Sequence, residues 1–264
     1  MHRSRFTRRR ALALAAALAT GSAFAQQQAT TWPDKPIRMI VPYAAGGGTD
    51  VFARIVAEGL GKRLGQSVIV DNRPGGNGQI GITAVQRAPA DGYTVLFSLT
   101  SIIQNPLLYP NAGFDPFKDF VPVSEAGRLP IVFTVSNKLG VDTLDGFVKL
   151  ARAAPGKYSY GSYGNGSSAH LYAEVLQDAA GIQLLHAPYK GEAPAITDLL
   201  GGTVDAVVGT ARAPLAAGVP TFKEQGFAGM ESVGWFGIYL PAATMRADHA
   251  RWKQVIQAKN IKLD

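Results

Sequence analysis

Two glycine-rich segments of the sequence have the composition of anion-binding turns. The first turn is residues 42–50 (PYAAGGGTD), and the second turn is residues 161–168 (GSYGNGSS). Each lies between a run predicted as a strand and a run predicted as a helix. Glycine lets the backbone approach a ligand closely, and the first N–H groups of a helix have no partner within it and lie at the positive end of its dipole. Each turn therefore predicts a place where backbone N–H groups bind an anion.

Backbone donors alone would give useful affinity. Four charge-assisted hydrogen bonds contribute about 6–12 kcal/mol before ordering costs, and micromolar binding needs about 8 kcal/mol. Taken singly, either turn could be an ordinary tight connection. We expect Thr49 or Asp50 to cap the helix after the first turn, and Ser167 or Ser168 to cap the helix after the second.

Other chemistries have weaker support in the sequence. Residues 76–81 satisfy G-x-G-x-x-G, but five residues separate them from the preceding strand and no acid follows at the spacing of a dinucleotide site. The chain has no cysteine, and no histidine pair has metal-binding spacing. Ser167 and His170 are interpreted as a helix cap and a first-turn residue, and Lys190 as a solvated loop charge. We expect no catalytic residue, no metal and no cofactor.

The elements that position the turns alternate between strand and helix along the chain. Short β-branched runs predict strands, and apolar residues at helical spacing predict the helices between them. Repeated units of this kind indicate an α/β fold with mainly parallel sheets covered by helices. The predicted strands are residues 37–41, 68–70, 93–97, 131–135, 157–160, 183–186 and 204–208, and the predicted helices are 49–64, 80–87, 144–153, 168–179 and 193–200.

These units fall into two sets, which predict two α/β lobes. Proline-containing segments, including those around Pro116, Pro122 and Pro130, mark the boundary between the sets. Lobe 1 is predicted as residues 26–128, completed by residues 232–264, and lobe 2 as residues 129–231. The chain is expected to cross between the lobes near residues 121–135 and 228–240.

The N-terminus has the pattern of a secretory signal. Residues 1–25 contain five arginines and no acidic residue, then a short apolar run that ends in Ala23-Phe24-Ala25. This predicts cleavage after Ala25 and a periplasmic protein, by the Sec or the twin-arginine route. The remaining chain has 21 basic and 19 acidic residues, a net charge of +2, and it lacks the basic stripe and motif of a nucleic-acid-binding protein.

Several segments, in order and spacing, resemble the solute receptors of tripartite tricarboxylate transporters, the Bug receptor family. They cover residues 32 to about 208 almost without gaps. The matching segments are WPDKPIR at residues 32–38, the first turn, DNRPG at 71–75, DGY at 91–93, GNG at 164–166 with His170, and PYKG at 188–191 continuing to DLLGG at 198–202.

The resemblance implies a two-lobed fold like that of periplasmic binding proteins, in which two α/β lobes close on a carboxylate held by main-chain amides and water. It implies a receptor rather than an enzyme, with a small carboxylate and membrane transporter subunits as partners, and we expect a monomer. A sensory receptor for a membrane kinase and a hydrolase using the same cleft remain the alternatives. The implied ligand-binding residues are Tyr43, Gly47, Gly48, Thr49, Asp50, Thr100, Asn165, Gly166, Ser167 and Ser168.

Three departures from the family pattern carry expectations of their own. Some members have an acid just after the strand at residues 204–208, able to meet an amino group. Gly209 and Thr210 stand there in this chain, which predicts a ligand without an ammonium group. Near residues 216–219 and 244–245, family sequence resumes as if internal segments were deleted. Losing these segments would expose sheet edge and core surface, which would destabilise the protein or weaken its binding.

Overall fold

The structure, a computed structural model, describes residues 32–210, 218–227, 230 and 233–242. The predicted signal peptide, the deletion predicted near residues 244–245 and the first part of the one near 216–219 lie outside these ranges. All the helices and strands below belong to one compact unit that begins at Lys35. Within the described ranges, no helix is both long enough and apolar enough to cross a bilayer.

Strands and helices alternate through most of the described chain. The strands are Ile37–Val41 (β1), Val68–Asn72 (β2), Thr94–Leu99 (β3), Phe120–Val135 (β4), Ser159–Ser162 (β5), Leu185–Pro188 (β6), Ala206–Thr210 (β7) and Val233–Pro241 (β8). The α-helices are Gly48–Leu64 (α1), Gln79–Gln86 (α2), Ser101–Leu108 (α3), Leu144–Ala153 (α4), Ser168–Ala180 (α5) and Glu192–Gly201 (α6), with short 3-10 turns at Gly76–Gly78 and Asn137–Leu139.

The strands form one mixed sheet in the order β2-β1-β3-β8-β4-β7-β5-β6. Strand β1 pairs in parallel with β2 and β3, and β5 pairs in parallel with β6 and β7. The two parallel groups are joined through β8 and β4, which pair antiparallel with each other. Residues 120–130 of β4 pair with β8, whereas residues 131–135 pair with β7. The segments predicted as crossovers therefore form the middle of the sheet, and the predicted α/β class is confirmed.

A large apolar core packs the helices against this sheet. Phe236 of β8 stacks on Phe97 of β3 at a centroid distance of 5.7 Å and on Phe52 of α1 at 5.1 Å. Farther along, Phe147 of α4 is fully buried and its ring contacts Phe133 of β4. Each such side chain contributes roughly 1.5–3 kcal/mol through burial. These contacts fix the helices, and hence their first residues, relative to the strand ends.

The largest differences from the predicted elements involve proline. Strand β4 begins at Phe120, eleven residues before the predicted start, and continues through Pro122 and Pro130. A register shift follows Pro122, so the ladder accommodates an irregular residue there rather than ending. Helix α3, which was not predicted, contains Pro106. The other predicted segments match to within about two residues at most ends, and α1 ends at Leu64 as predicted, with Gly65 after it in the left-handed conformation.

Candidate functional site

The first turn is held in shape by the carboxylate of Asp50. This side chain is 3% exposed; its Oδ2 accepts from Gly46 N–H at 2.9 Å and from Arg54 Nε at 3.0 Å, and its Oδ1 accepts from Asn72 Nδ2 at 3.0 Å. Asn72 also donates to the carbonyl oxygen of Tyr43. Burial acts to raise the pKa of Asp50, but the hydrogen bonds from Arg54, Gly46 and Asn72 outweigh it and lower that pKa. Asp50 is thus an anion internal to the turn.

Helix α1 starts without the predicted cap. Its N-cap residue is Gly47, and neither Thr49 nor Asp50 caps it, because the Asp50 side chain bonds to Gly46 on the other side of the turn. The N–H of Gly48 donates instead to Oε2 of Glu192, 3.0 Å away. The start of α1 is therefore capped by a carboxylate from a distant part of the chain.

Glu192 is the first residue of α6, and it is only 9% exposed. Its Oε1 accepts a hydrogen bond from the N–H of Thr210 at the end of β7. The hydroxyl of Thr210 also donates to the carboxylate, with Oγ1 2.9 Å from Oε2 and 3.1 Å from Oε1. The contact between Gly48 and Glu192 requires glycine at position 48, because a Cβ added there would lie 2.6 Å from Thr210 Oγ1. Although Gly209 and Thr210 replace the acid that some family members have here, Glu192 brings an acid to Thr210 from another element, and a ligand without an ammonium group stays a prediction.

An aromatic pair joins the two turns. The rings of Tyr43 and Tyr163 meet edge to face with centroids 6.1 Å apart, and both side chains are buried. The Tyr43 hydroxyl is hydrogen-bonded to Ser101 Oγ at the start of α3. Burial raises the pKa of both tyrosines well above the ordinary value, so both hydroxyls are neutral at physiological pH. The two turns, 120 residues apart in sequence, are thus in contact.

The second turn leads into α5 with the predicted serine cap. Ser167 Oγ accepts from the N–H of His170 at 3.3 Å and donates to the Gly164 carbonyl at 2.6 Å, which confirms Ser167 as the cap. The Gly166 N–H, a predicted anion donor, donates to Nδ1 of His170 at 3.0 Å. The donors predicted at Gly48 and Gly166 therefore both have partners from within the protein.

A stack of rings supports the second turn from the sheet side. His170 stacks on His186 with centroids 4.1 Å apart, and His186 stacks on Tyr160 at 4.8 Å. Nε2 of His186 is 2.7 Å from the Oγ of Ser162, which is fully buried. Burial, and then the neighbouring His170, lower the pKa of His186 to about 4, so it is neutral at pH 7. This arrangement positions the turn, and the buried hydroxyl of Ser162 is not open to a substrate.

Helix α3 contributes polar side chains that face the second turn. Thr100 Oγ1 is 2.7 Å from Ser168 Oγ, and Gln104 Nε2 donates to the same oxygen at 3.0 Å. At the other end of α3, the hydroxyl of Tyr109 donates to the carbonyl of Asn165 at 2.7 Å. Thr100, predicted as a wall of the cleft, therefore contacts the turn that carries half of the predicted site.

Both turns border the same two cavities. The smaller, ≈ 10 Å³, has room for about one water molecule, and the larger, ≈ 230 Å³, is of the order of a small organic acid. Tyr43 and Tyr163 line both. The smaller cavity is also lined by Ala44, Gly47, Thr49, Leu99, Glu192 and Thr210, and the larger by Pro42, Gly75, Gly76, Asn77, Gly78, Tyr109, Gly164, Asn165, Pro188, Tyr189 and Lys190.

The predicted site residues thus divide into lining and supporting groups. Four of them line a cavity: Tyr43, Gly47, Thr49 and Asn165. The others make hydrogen bonds that shape the turns or, in the case of Gly48, a hydrogen bond to Glu192. Those remaining residues are Gly48, Asp50, Thr100, Gly166, Ser167 and Ser168. The sequence analysis missed Glu192 and the lining role of Lys190. The only local signal for Glu192 was an acid in the first turn of a predicted helix.

Several solved and curated proteins are similar to this chain. Protein BugT of Bordetella pertussis is 36% identical over 250 residues, covering 86% of this chain and 77% of BugT. The structure of the periplasmic binding protein BugD matches with a TM-score of 0.77 at 33% identity, covering 81% of this chain and 78% of BugD. R. palustris Rpa4515, solved with adipate, gives the same TM-score at 33% identity and covers 81% of this chain and 79% of its own.

The profile of one family covers more than half of the chain. It is described as the tripartite tricarboxylate transporter family receptor, and it matches residues 52–217. That range includes α1 from Phe52 onward, the second turn, Glu192 and Thr210. The chain therefore belongs to the tripartite tricarboxylate transporter receptor family.

Proposed function

We propose that this protein is an exported periplasmic receptor that captures a small carboxylate and delivers it to the membrane subunits of a tripartite tricarboxylate-type transporter. Lobe 1 (residues 26–128 with 232–264) and lobe 2 (residues 129–231) each contribute one turn to the cleft. Closure follows from contacts that the ligand makes only when both turns surround it. The protein acts as a monomer, and export removes residues 1–25.

The observation that carries the proposal is the larger cavity between the turns. It is bordered by Tyr43 from one turn and by Tyr163, Gly164 and Asn165 from the other, with Lys190 as a cation beside them. Its volume of ≈ 230 Å³ suits a small organic acid and is below the range of pockets for drug-sized molecules. The adipate bound by the similar protein Rpa4515 is a ligand of this kind.

We assign no catalytic activity to this cleft. Ser162, at the start of the second turn, forms a serine–histidine pair with His186. The Ser162 hydroxyl is fully buried and makes its hydrogen bonds with His186 and Gly164. A hydrolase would need a nucleophile that a substrate can reach. Incubation with esters of small carboxylic acids is expected to give no enzyme-dependent product, and saturable turnover would contradict this assignment.

Calorimetric titration of the protein purified from the periplasmic fraction tests the proposal. A panel of mono-, di- and tricarboxylates should contain acids that bind with micromolar or lower Kd, while the corresponding alcohols and primary amides do not bind. The absence of binding by any acid would overturn the proposal. Co-purification with a membrane kinase, rather than with transporter subunits, would favour the sensory alternative.

A further inference from the structure

The Glu192 carboxylate fills the place that a ligand carboxylate would take at the start of α1. It receives the Gly48 N–H and both donors of Thr210. The side chain is more than nine-tenths buried, and no salt bridge joins it to a basic residue within the described ranges. The protein therefore already holds an anion at one of its two predicted anion-binding helix starts.

The Glu192 carboxylate is surrounded by hydrogen-bond donors. Its partners at hydrogen-bond distance are N–H and O–H donors, and it lies at the positive end of α1 as well as in the first turn of its own helix α6. Removing these donors from a buried carboxylate would be costly. The start of α1 is thus occupied by a fixed negative charge whose donors are in use.

A second anion has no place beside this charge. The adjoining cavity of ≈ 10 Å³ takes about one water molecule, and two like charges in a partly buried site repel each other strongly. The charge of Glu192 already acts on this neighbourhood: together with burial and Tyr43, it raises the pKa of Tyr163. The Tyr43–Tyr163 pair lines both this small cavity and the larger one, which has the volume for a ligand.

The larger cavity has a basic residue in its lining. Lys190 lines it together with the second-turn residues Gly164 and Asn165. A ligand carboxylate is favoured near Lys190 and disfavoured toward Glu192. We infer that Glu192 is a specificity-determining residue, which makes the site select acids with one carboxylate and a neutral hydrogen-bonding far end over dicarboxylates. This inference rests on the proposed function, and it names the class of carboxylate.

Matched pairs of acids test the inference by titration calorimetry. The pairs are succinate, glutarate and adipate, each with its half-amide, in which one carboxylate is replaced by a neutral amide of nearly the same shape. The protein should bind the better half-amide at least tenfold more tightly than its diacid. In Glu192→Gln, which removes the charge, that ratio should fall at least tenfold because the diacid gains affinity.

Two controls separate the charge of Glu192 from general effects. Glu58→Gln removes the same charge from an exposed position on α1, where Glu58 pairs with Lys62, and it should leave the ratio unchanged. Circular dichroism melts of both variants verify folding, and Glu192→Ala serves as a second variant if Glu192→Gln does not fold. Equal affinities of the unsubstituted protein for diacid and half-amide, or an unchanged ratio in both Glu192 variants, would overturn the inference.

The failure of this inference and that of the proposed function give different results. Tight binding of a diacid by the unsubstituted protein contradicts the role of Glu192 and leaves carboxylate capture intact. Variants without the Glu192 charge must admit a diacid, so their failure to bind any acid of the series also overturns the inference. Only the absence of binding across the whole organic-acid panel contradicts carboxylate capture itself.

Discussion

The two turns share a sequence plan but are completed in different ways. Both follow a parallel strand and open a helix, and in both an N–H predicted as an anion donor is already bonded. At the first turn the partner is the carboxylate of Glu192. At the second turn the partner is the imidazole of His170, which stacks on a neutral His186.

This difference shows that the acceptor bonded by the first N–H groups of a helix depends on the elements packed beside it. Helix α6 brings a charge to the first turn, so that turn is electrostatically complete without a ligand. The second turn is completed by an imidazole and a serine hydroxyl, and the first turn of α5 has no acid, so no carboxylate offsets the positive end of that helix. We therefore expect ligand anions to favour the side of the second turn, and the two turns to respond differently to substitution and to pH.

The largest effect should come from disturbing the carboxylate at the first turn. In Gly209→Ala the new methyl group would overlap Oε1 of Glu192 and force the carboxylate from its donors. We expect the free energy of unfolding to fall by about 2–3 kcal/mol, from overpacking and lost hydrogen bonds, as measured by urea denaturation. Gly59→Ala on the exposed side of α1, where a methyl meets nothing within 4 Å, should stabilise by about 0.5–1 kcal/mol. Equal stability of the two variants would refute the role given to Glu192.

A smaller effect should distinguish the turns by pH. The pKa of His186 is lowered to about 4 in the folded protein from 6.5, so the unfolded chain binds more protons between these values and stability falls as pH drops from about 6.5 to 4. Because His186 is partly exposed, we expect a loss of only about 1 kcal/mol between pH 7 and pH 5. Asp50 stays charged over this range, because its pKa lies below the ordinary 3.8 and its contribution is lost only at lower pH.

Urea denaturation at pH 7 and pH 5 measures this difference. The groups that face His186 are His170, Glu174, Tyr160 and Ser162. His186→Gln keeps a hydrogen-bonding side chain beside Ser162 and removes the titration, so its stability should change less between the two pH values. A variant with the same pH dependence as the unsubstituted protein would show that the ring stack under the second turn does not titrate as described.

The smallest effect concerns the link between α3 and the second turn. Tyr109→Phe removes the hydrogen bond from the hydroxyl to the carbonyl of Asn165. We expect a loss of about 0.5–1 kcal/mol in unfolding free energy and a weaker affinity for carboxylates. Tyr158→Phe is the matched control, since no hydrogen bond of the Tyr158 hydroxyl is found within the described ranges. An affinity that falls equally in both variants would contradict this link.

Local patterns were sufficient to predict the elements that carry the turns. Helix α4 spans Leu144–Ala153, as its apolar spacing predicted, and Thr143 caps it through Gly146 N–H. Ser167, one of the two serines expected as the cap of α5, bonds a partner only three residues away. Such features depend on neighbours within one helical turn, so their information is present in a short stretch of sequence.

The elements that could not be predicted depend on distant partners. Strands β4 and β8 pair across more than 100 residues, and that pairing overrides the prolines that suggested a break. Glu192 lies 144 residues from Gly48 and 18 from Thr210. Nothing in its local sequence distinguishes it from a solvated first-turn acid, and only the folded chain brings its carboxylate to the start of α1.

The central claim is that the two turns hold one carboxylate between them. A crystal structure of the protein with the tightest-binding acid of the titration panel tests it most directly. The account predicts density for the ligand in the cavity bordered by Tyr43, Tyr163 and Asn165, with its carboxylate on the side of Lys190. A ligand bound at the outer surface, or one that contacts a single turn, would contradict it.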